Sequence, residues 1–322
     1  YRKPTIEELV KLMKLVQLAD QGKFEHFDEK KFQKQRKRVE QLIRQWSTRF
    51  HREAQVTKNE SLYKMAYFLY DNYLQTFPES KHIYKMTFYD AEILYHLGKW
   101  EKAAKLYDKT IEMKPEEGKS LKDAAHAQVL AYFKLVNTSE KQAKLESPLK
   151  FEEKDKAEEV KEGGSEKDDK IPEKKEISDR QKDLVSACKD YMKYVPKGDR
   201  IVDVKYTMAR VYYEHDHLKK AVELFRDIAF NHSDHRLAVV SANLHLDTLN
   251  LLNDFESLHE AVSAYMKKKP IDDKEFTSDV DRLNRAIRFK LCREEEDAEN
   301  WKKSAECYVQ FYRDFPNSKH VD

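Results

Sequence analysis

The sequence predicts an all-α protein built from repeated helix pairs, and three observations support this prediction. Only six of the 322 residues are glycine and eight are proline, which leaves few turn residues for a many-stranded β fold. Similar apolar positions return along the chain at a fixed distance, as they do in repeat proteins. Within each segment these positions follow the i, i+3, i+4, i+7 spacing of an amphipathic helix.

The first 53 residues predict a helical leader that merges into the repeats. Thr5 and Glu8 form a capping box that opens a helix to about Asp20, and Gly22 ends it. A second long helix, from about residue 28 to residue 53, carries a cluster of basic residues. The cluster contains Lys30, Lys31, Lys34, Arg36, Lys37 and Arg38. It is interpreted either as a solvated helix face or as a surface for an acidic partner, an anionic membrane or nucleic acid.

The repeat is clearest between residues 83–115 and 201–233, which align without a gap. Ala91 then matches Ala209, and the other apolar positions of the two segments also coincide. A third segment, 238–270, follows the second at a distance of 37 residues. Further segments end at prolines near residues 78 and 316. The period indicates a helical repeat architecture.

Each repeat divides into two helices and ends at a proline. The breaks fall at Gly98–Lys99 and at Asp216–His217, in the middle of the segments. Proline cannot continue a helix, so helix ends are expected just before the closing prolines. These are Pro78, Pro115, Pro196, Pro270 and Pro316.

The best-matching segment resembles the tetratricopeptide repeat family. It supplies small residues at Ala209 and Ala221 and aromatic residues at Tyr212 and Phe225, and departs with Ser233 in place of the closing proline. The resemblance covers residues 46–322 apart from one insertion. It implies a right-handed α-solenoid of antiparallel helix pairs, with a concave groove lined by the first helix of each pair.

The resemblance also implies which side chains line that groove. They are Phe88, Glu92, Tyr95, Tyr132, Tyr206, Arg210, Tyr213, Asn243, Asp247 and Asn250. Tyrosine combines apolar area with a hydroxyl group, and it is common in interfaces. The alternative is that these tyrosines pack against neighbouring helices inside the repeats.

An insertion separates the helix pairs of residues 46–137 from those of residues 178–322. Residues 138–177 are rich in lysine, glutamate and aspartate and contain few apolar residues, so disorder is predicted. The insertion is either an inert loop or a flexible docking arm. Three cysteines, Cys188, Cys292 and Cys307, fall at apolar helix positions, where free cysteine is expected to pack as a small hydrophobic residue.

The sequence carries no nucleotide-binding, hydrolase or metalloprotease motif, so no catalytic activity and no cofactor are expected. His215 and His217 are about 20 Å of helix away from His232 and His235, too far to share a metal ion. The formal net charge of +2 argues against nucleic-acid binding that relies on overall charge. No apolar run is long enough for a transmembrane helix.

The function predicted from these features is a non-catalytic scaffold that binds a peptide or protein partner in its groove. Turns such as Phe77–His82, with Pro78 and Ser80, resemble those of bacterial envelope repeat proteins. That resemblance favours an envelope assembly, motility or secretion complex and a periplasmic location, with the cytoplasm left open. The alternative is a structural, self-associating segment of a larger protein. Pro316 followed by Ser318 then leads us to expect another repeat beyond Asp322.

Overall fold

The computed structural model describes residues 5–24, 28–113, 119–139 and 171–316. Within these ranges helices are the only regular secondary structure, which confirms the all-α class. The helices are α1 (Ile6–Asp20), α2 (Glu29–Thr57), α3 (Glu60–Thr76), α4 (Ile83–His96), α5 (Trp100–Glu112), α6 (Lys119–Ser139), α7 (Asp179–Tyr194), α8 (Ile201–Glu214), α9 (Leu218–Asn231), α10 (Ala238–Leu251), α11 (Phe255–Lys268), α12 (Lys274–Asp297) and α13 (Trp301–Asp314).

The helices form two compact units. The first contains Tyr1–Pro148 and Asp179–Gly198, and the second contains Leu149–Ser178 and Asp199–Asp322. In the first unit each helix from α2 to α6 packs mainly on its successor, and α1 packs on α3 and α2. In the second unit the same sequential packing runs from α8 to α13. Each unit has its own apolar core.

The start of the chain folds as its local signals predict. The backbone nitrogen of Glu8 donates to the Thr5 hydroxyl at 3.2 Å, and the Thr5 nitrogen donates to the Glu8 carboxylate at 2.8 Å. Helix α1 ends at Asp20, and Gly22 follows with a φ of +70°. Asp28 caps α2 through the nitrogen of Lys31. The capping box and the glycine stop are therefore confirmed.

Four turns between successive helices share one geometry. Gly98, Asp216, Asn253 and Glu299 each lie two residues after a helix and two before the next, and all four have φ between 54° and 70°. In each turn the next backbone nitrogen donates to the carbonyl five residues earlier, as Lys99 does to Leu94 at 2.9 Å and His217 to Tyr212 at 2.8 Å. These bonds satisfy helix-terminal carbonyls, and the recurring turn confirms the predicted mid-repeat breaks.

The predicted closing prolines follow the helix ends directly. Helices α3, α7, α11 and α13 each stop two residues before a proline. These prolines are Pro78, Pro196, Pro270 and Pro316. The predicted stop at Pro115, and the residues after Pro316 where another turn is expected, lie outside the described residues.

Most of the predicted disordered insertion also lies outside the described residues. Helix α6 extends to Ser139, and the chain is described again from Ile171. Residues 171–178 form an extended segment beside the α8–α9 turn. There the Lys175 nitrogen donates to the His215 carbonyl at 3.0 Å, and the Lys175 ammonium pairs with Asp216 at 2.9 Å.

The expectation of three free cysteines is wrong for two of them. Cys292 of α12 and Cys307 of α13 form a disulfide, whereas Cys188 is free and buried. The two bonded residues are 15 positions apart, on helices that pack against each other. The apolar spacing of a helix predicts that a cysteine faces the core. It does not predict which cysteine of the neighbouring helix lies close enough to form a disulfide.

None of the helices in the described ranges combines the length and apolar character that crossing a bilayer requires.

Candidate partner-binding surface

In the first unit, the predicted groove residues of α4 contact the neighbouring helix. Phe88 is buried, and its ring lies 6.2 Å from that of Tyr107 on α5. The Tyr107 hydroxyl donates to the Glu92 carboxylate at 2.6 Å. Burial, followed by the nearby Glu92 charge, raises the pKa of the Tyr107 hydroxyl, which therefore remains a hydrogen-bond donor. Phe88 and Glu92 thus help to join α4 to α5.

Tyr132 of α6 is also engaged by the adjacent helix. Its hydroxyl donates to Asp108 of α5 at 2.7 Å, and the Gln128 amide donates to the same carboxylate at 2.7 Å. Tyr95 is half-buried, and burial is the main cause that raises its pKa, ahead of the Glu92 charge. In this unit, Phe88, Glu92 and Tyr132 pack against a neighbouring helix, as the alternative interpretation predicts.

In the second unit, the predicted residues of α8 are divided between core and surface. Tyr206 is completely buried, with its ring edge-on to Phe225 at 5.9 Å. Arg210 is half-buried and forms an ion pair with Glu214 on the same helix. Tyr206 is therefore a core residue rather than an exposed groove residue.

Tyr213 and Asp247 join α8 to α10. The Tyr213 hydroxyl donates to the Asp247 carboxylate, and the Tyr213 ring lies edge-on to Phe225 of α9 at 6.0 Å. Asp247 is 7% exposed, so a hydrogen bond offsets the cost of burying its charge. The pair fixes the relative position of α8 and α10 beside the two asparagines described next.

Asn243 and Asn250 differ from the other predicted residues because their side-chain amides have no hydrogen-bond partner among the described residues. They flank Asp247 at i−4 and i+3, so the three residues share one face of α10. Most of α10 is buried, yet both asparagines are only half-buried. Neither amide makes a hydrogen bond within the part of the chain that the structure describes. We name Tyr213, Asn243, Asp247 and Asn250 the α10 surface.

The chemistry of the α10 surface suits a polypeptide backbone. An asparagine amide offers two donors and an acceptor, which match the carbonyl and amide groups of an extended peptide. Because Asp247 and Tyr213 already satisfy each other, the asparagines are presented on an ordered helix. The surface has donors and acceptors but no activated nucleophile.

An open cleft of about 570 Å³ lies between α11 and α12 of the second unit. It is lined by His259, Ser263, Met266, Lys267, Asn284 and Arg288. Asp314 holds the Arg288 guanidinium at 2.6 Å. Sequence patterns did not predict this cleft, because it depends on how two successive helices are spaced.

The most perturbed carboxyl group in the first unit is Asp90, which the sequence interpretation missed. Asp90 of α4 is 2% exposed, and its Oδ1 atom has no hydrogen-bond partner among the described residues. Burial raises the pKa of this carboxyl to about 8, with a further contribution from the charge of Asp71. The only sequence signal was a charged residue within an apolar stretch of α4.

The four histidines considered as metal ligands in the sequence each have a local contact. His215 contacts the Val211 carbonyl at 2.8 Å, and His217 contacts the Lys175 carbonyl at 3.1 Å. His232 lies 4.0 Å from Asp227, and His235 lies 4.0 Å from Asp203. Within the described ranges, no three histidine, cysteine or carboxylate side chains are grouped as ligands for a metal ion.

The fold and the α10 surface together define an all-helical protein with sequentially packed helices and a polar helix face. The sequence matches no protein-family model, and it matches no curated protein.

Proposed function

We propose that the protein is a non-catalytic scaffold that binds an extended peptide or a segment of a partner protein on the α10 surface. The single observation that supports this most directly is the pair of unused, half-buried amides at Asn243 and Asn250. The rest of α10 is almost entirely committed to the core, so these amides remain available for hydrogen bonds to a partner.

The same proposal includes the arrangement of the helices. We propose that the helix pairs stack as an antiparallel, tetratricopeptide-like right-handed α-solenoid. Support comes from the four equivalent turns and from the packing of each helix on the next within a unit. In such a stack the first helices of successive pairs share one face, on which a peptide can lie.

We further propose that the protein acts within a bacterial cell-envelope complex, with a periplasmic location. The disulfide between Cys292 and Cys307 supports this placement, because disulfides persist in oxidising compartments. The Pro78 turn, in which the Tyr73 and Ser80 hydroxyls share the Glu40 carboxylate, is the sequence feature that suggested an envelope protein.

The function is tested by selecting peptides from a random display library against the wild-type chain. Binding of each selected peptide is then measured by fluorescence anisotropy to an Asn243→Ala/Asn250→Ala variant. One hydrogen bond is worth about 0.5–1.5 kcal/mol, so losing both amides should weaken binding about tenfold. Far-UV circular dichroism establishes that the variant keeps its helices.

A matched control removes two exposed amides that lie outside α10. Asn231 bonds to Asp227, and Gln310 bonds to Asp314. An Asn231→Ala/Gln310→Ala variant should bind the selected peptides as the wild type does. Failure to select any peptide, or an equal loss of affinity in both variants, contradicts the proposed function.

Self-association is a second candidate function, and the exposed face of α13 favours it. Trp301, Val309 and Tyr312 are 65%, 51% and 38% exposed. They lie along one side of the helix, so two copies can pair the same apolar stripe across a twofold axis. Sedimentation equilibrium tests this: Trp301→Lys/Val309→Lys should abolish any concentration-dependent mass of the wild type. A monomeric wild type rejects it.

A further inference from the structure

Helix α2 carries a basic face opposite its buried face. At about 100° per residue, the seven exposed basic residues of this 29-residue helix fall within an arc of about 120°. One of them, Lys31, forms an ion pair with Asp28. The other six are Lys30, Lys34, Lys37, Arg38, Arg49 and Arg52. The core residues Ile43, Phe50 and Ala54 point the opposite way. We call the six residues the α2 basic stripe.

Three carboxylates near α2 have partners other than the six stripe residues. Glu40 accepts from the Tyr73 hydroxyl at 2.9 Å and from the Ser80 hydroxyl at 2.6 Å, on the buried side of the helix. Asp20 pairs with Arg36, and Asp28 pairs with Lys31, which lies on the same face as the stripe.

The stripe itself makes no internal ion pairs. None of its six side chains forms one within the part of the chain that the structure describes. Arg49 instead lies over the Trp46 ring at 4.9 Å. The positive charge of the stripe is therefore available to a partner.

The length of the stripe and the spacing of its charges suit a second α-helix as the binding partner. From Lys30 to Arg52 it extends about 33 Å at 1.5 Å per residue. Lys30, Lys34 and Lys37 recur at spacings of four and three residues, and Arg38 follows directly. Arg49 comes eleven residues after Arg38, and Arg52 three residues after that. An α-helix with glutamates at i, i+4 and i+7 presents negative charge at the same pitch. Gln41 and Gln45, also exposed on this face, offer amide groups in the middle of the stripe.

Other polyanions fit this face less well. No apolar side chain of this face is exposed between Lys30 and Arg52, and Val56 beyond it is a single exposed valine, so the face lacks the row of apolar groups that amphipathic helices insert into a bilayer. It also lacks exposed aromatic rings on which the bases of a single strand would stack. We propose that the α2 basic stripe binds an acidic helix of a protein partner, at a site separate from the α10 surface.

The test uses two labelled alanine-based peptides of equal glutamate content, each long enough to lie along the stripe. One carries its glutamates on a single helical face, and the other distributes them around the helix. The one-faced peptide should bind wild-type chain at low salt, and a Lys30→Gln/Lys34→Gln/Lys37→Gln/Arg38→Gln variant should bind it at least about tenfold more weakly. Binding should also weaken as salt is added.

Matched controls separate this site from charge in general. A Lys81→Gln/Lys102→Gln/Lys109→Gln/Lys122→Gln variant removes four other exposed lysines of the first unit and should bind as the wild type does. Equal binding of both peptides, or an equal loss in both variants, overturns the proposal. Tighter binding to phosphatidylglycerol-containing vesicles or to duplex DNA than to the one-faced peptide also overturns it.

Discussion

The hydroxyl group of Tyr213 donates a hydrogen bond to the buried carboxylate of Asp247, and so joins α8 to α10. This pair makes the α10 surface a fixed feature of the second unit. The tyrosine side chain is occupied in the fold, and the flanking asparagines are the groups that remain for a partner.

Removing the Tyr213 hydroxyl should destabilise the second unit. Tyr213→Phe leaves the Asp247 charge buried without this donor, and hydrogen bonds to charged groups contribute about 1.5–3 kcal/mol. Urea unfolding should show a loss of that size. Asp247→Asn in the Tyr213→Phe background should recover part of it, because the uncharged amide is cheaper to bury. Additive effects of the two substitutions in a double-mutant cycle would contradict the pairing.

Asp90 should make the first unit less stable as the pH rises. Its pKa is about 8 in the folded chain, against 3.8 for an ordinary aspartate. The neutral form fits the buried site, so its stabilising contribution is fully present below about pH 4. It is lost as the pH rises towards 8, because the unfolded chain ionises this carboxyl above about pH 4 whereas the folded chain keeps it protonated until about pH 8.

The test of Asp90 is the difference between two stability curves. Asp90→Asn keeps the shape of the side chain and removes its titration, so the variant should gain stability over wild type between pH 4 and pH 8. One pKa unit corresponds to about 1.4 kcal/mol, so the gain should reach a few kcal/mol. A constant difference across this range would show that Asp90 does not titrate as described.

The turn between α12 and α13 should become more stable when its left-handed residue is glycine. Glu299 has a φ of 57°, which costs a side-chain-bearing residue about 1 kcal/mol. Glu299→Gly should raise the stability of the second unit by about 0.5–1 kcal/mol in thermal unfolding. The opposite change at the equivalent turn, Gly98→Ala, should lower stability by a similar amount. No change at either position would contradict the shared geometry.

The disulfide should stabilise the second unit. Closing a loop of 15 residues contributes about 3 kcal/mol in the chain-entropy description. Reductant, or a Cys292→Ala/Cys307→Ala variant, should therefore lower the unfolding temperature. Cys188→Ala is the matched control for loss of a thiol, and it should not respond to reductant differently from wild type. Mass spectrometry of the unreduced chain would reveal two further free thiols if the bond were absent.

Local signals in the sequence predicted part of the helix boundaries. Thr5 and Glu8 form the predicted capping box, and Gly98 occupies the left-handed position that glycine favours. Asn253 and Glu299 occupy the same position without glycine. Breaks were predicted only at Gly98–Lys99 and Asp216–His217, so the turns at Asn253 and Glu299 were not identified from the sequence.

The groove residues were harder to predict because a helical position can face a partner or the next helix. Periodicity places Tyr206 and Asn243 at equivalent positions of their repeats, yet Tyr206 is completely buried and Asn243 is only half-buried. The difference depends on the side chains of the neighbouring helices, such as Phe225. The Cys292–Cys307 bond and the buried Asp90 also depend on which helices lie opposite one another.

The central proposal, that a peptide lies on the α10 surface, is tested most directly by photo-crosslinking. A benzophenone side chain is placed at residue 243 of α10 or, as a control, at exposed Glu223 of α9, and each protein is irradiated with a peptide selected on the wild type. We predict a covalent product at position 243 that excess unlabelled peptide suppresses, and none at position 223. Crosslinking at position 223 alone, or equally at both positions, would contradict the proposal.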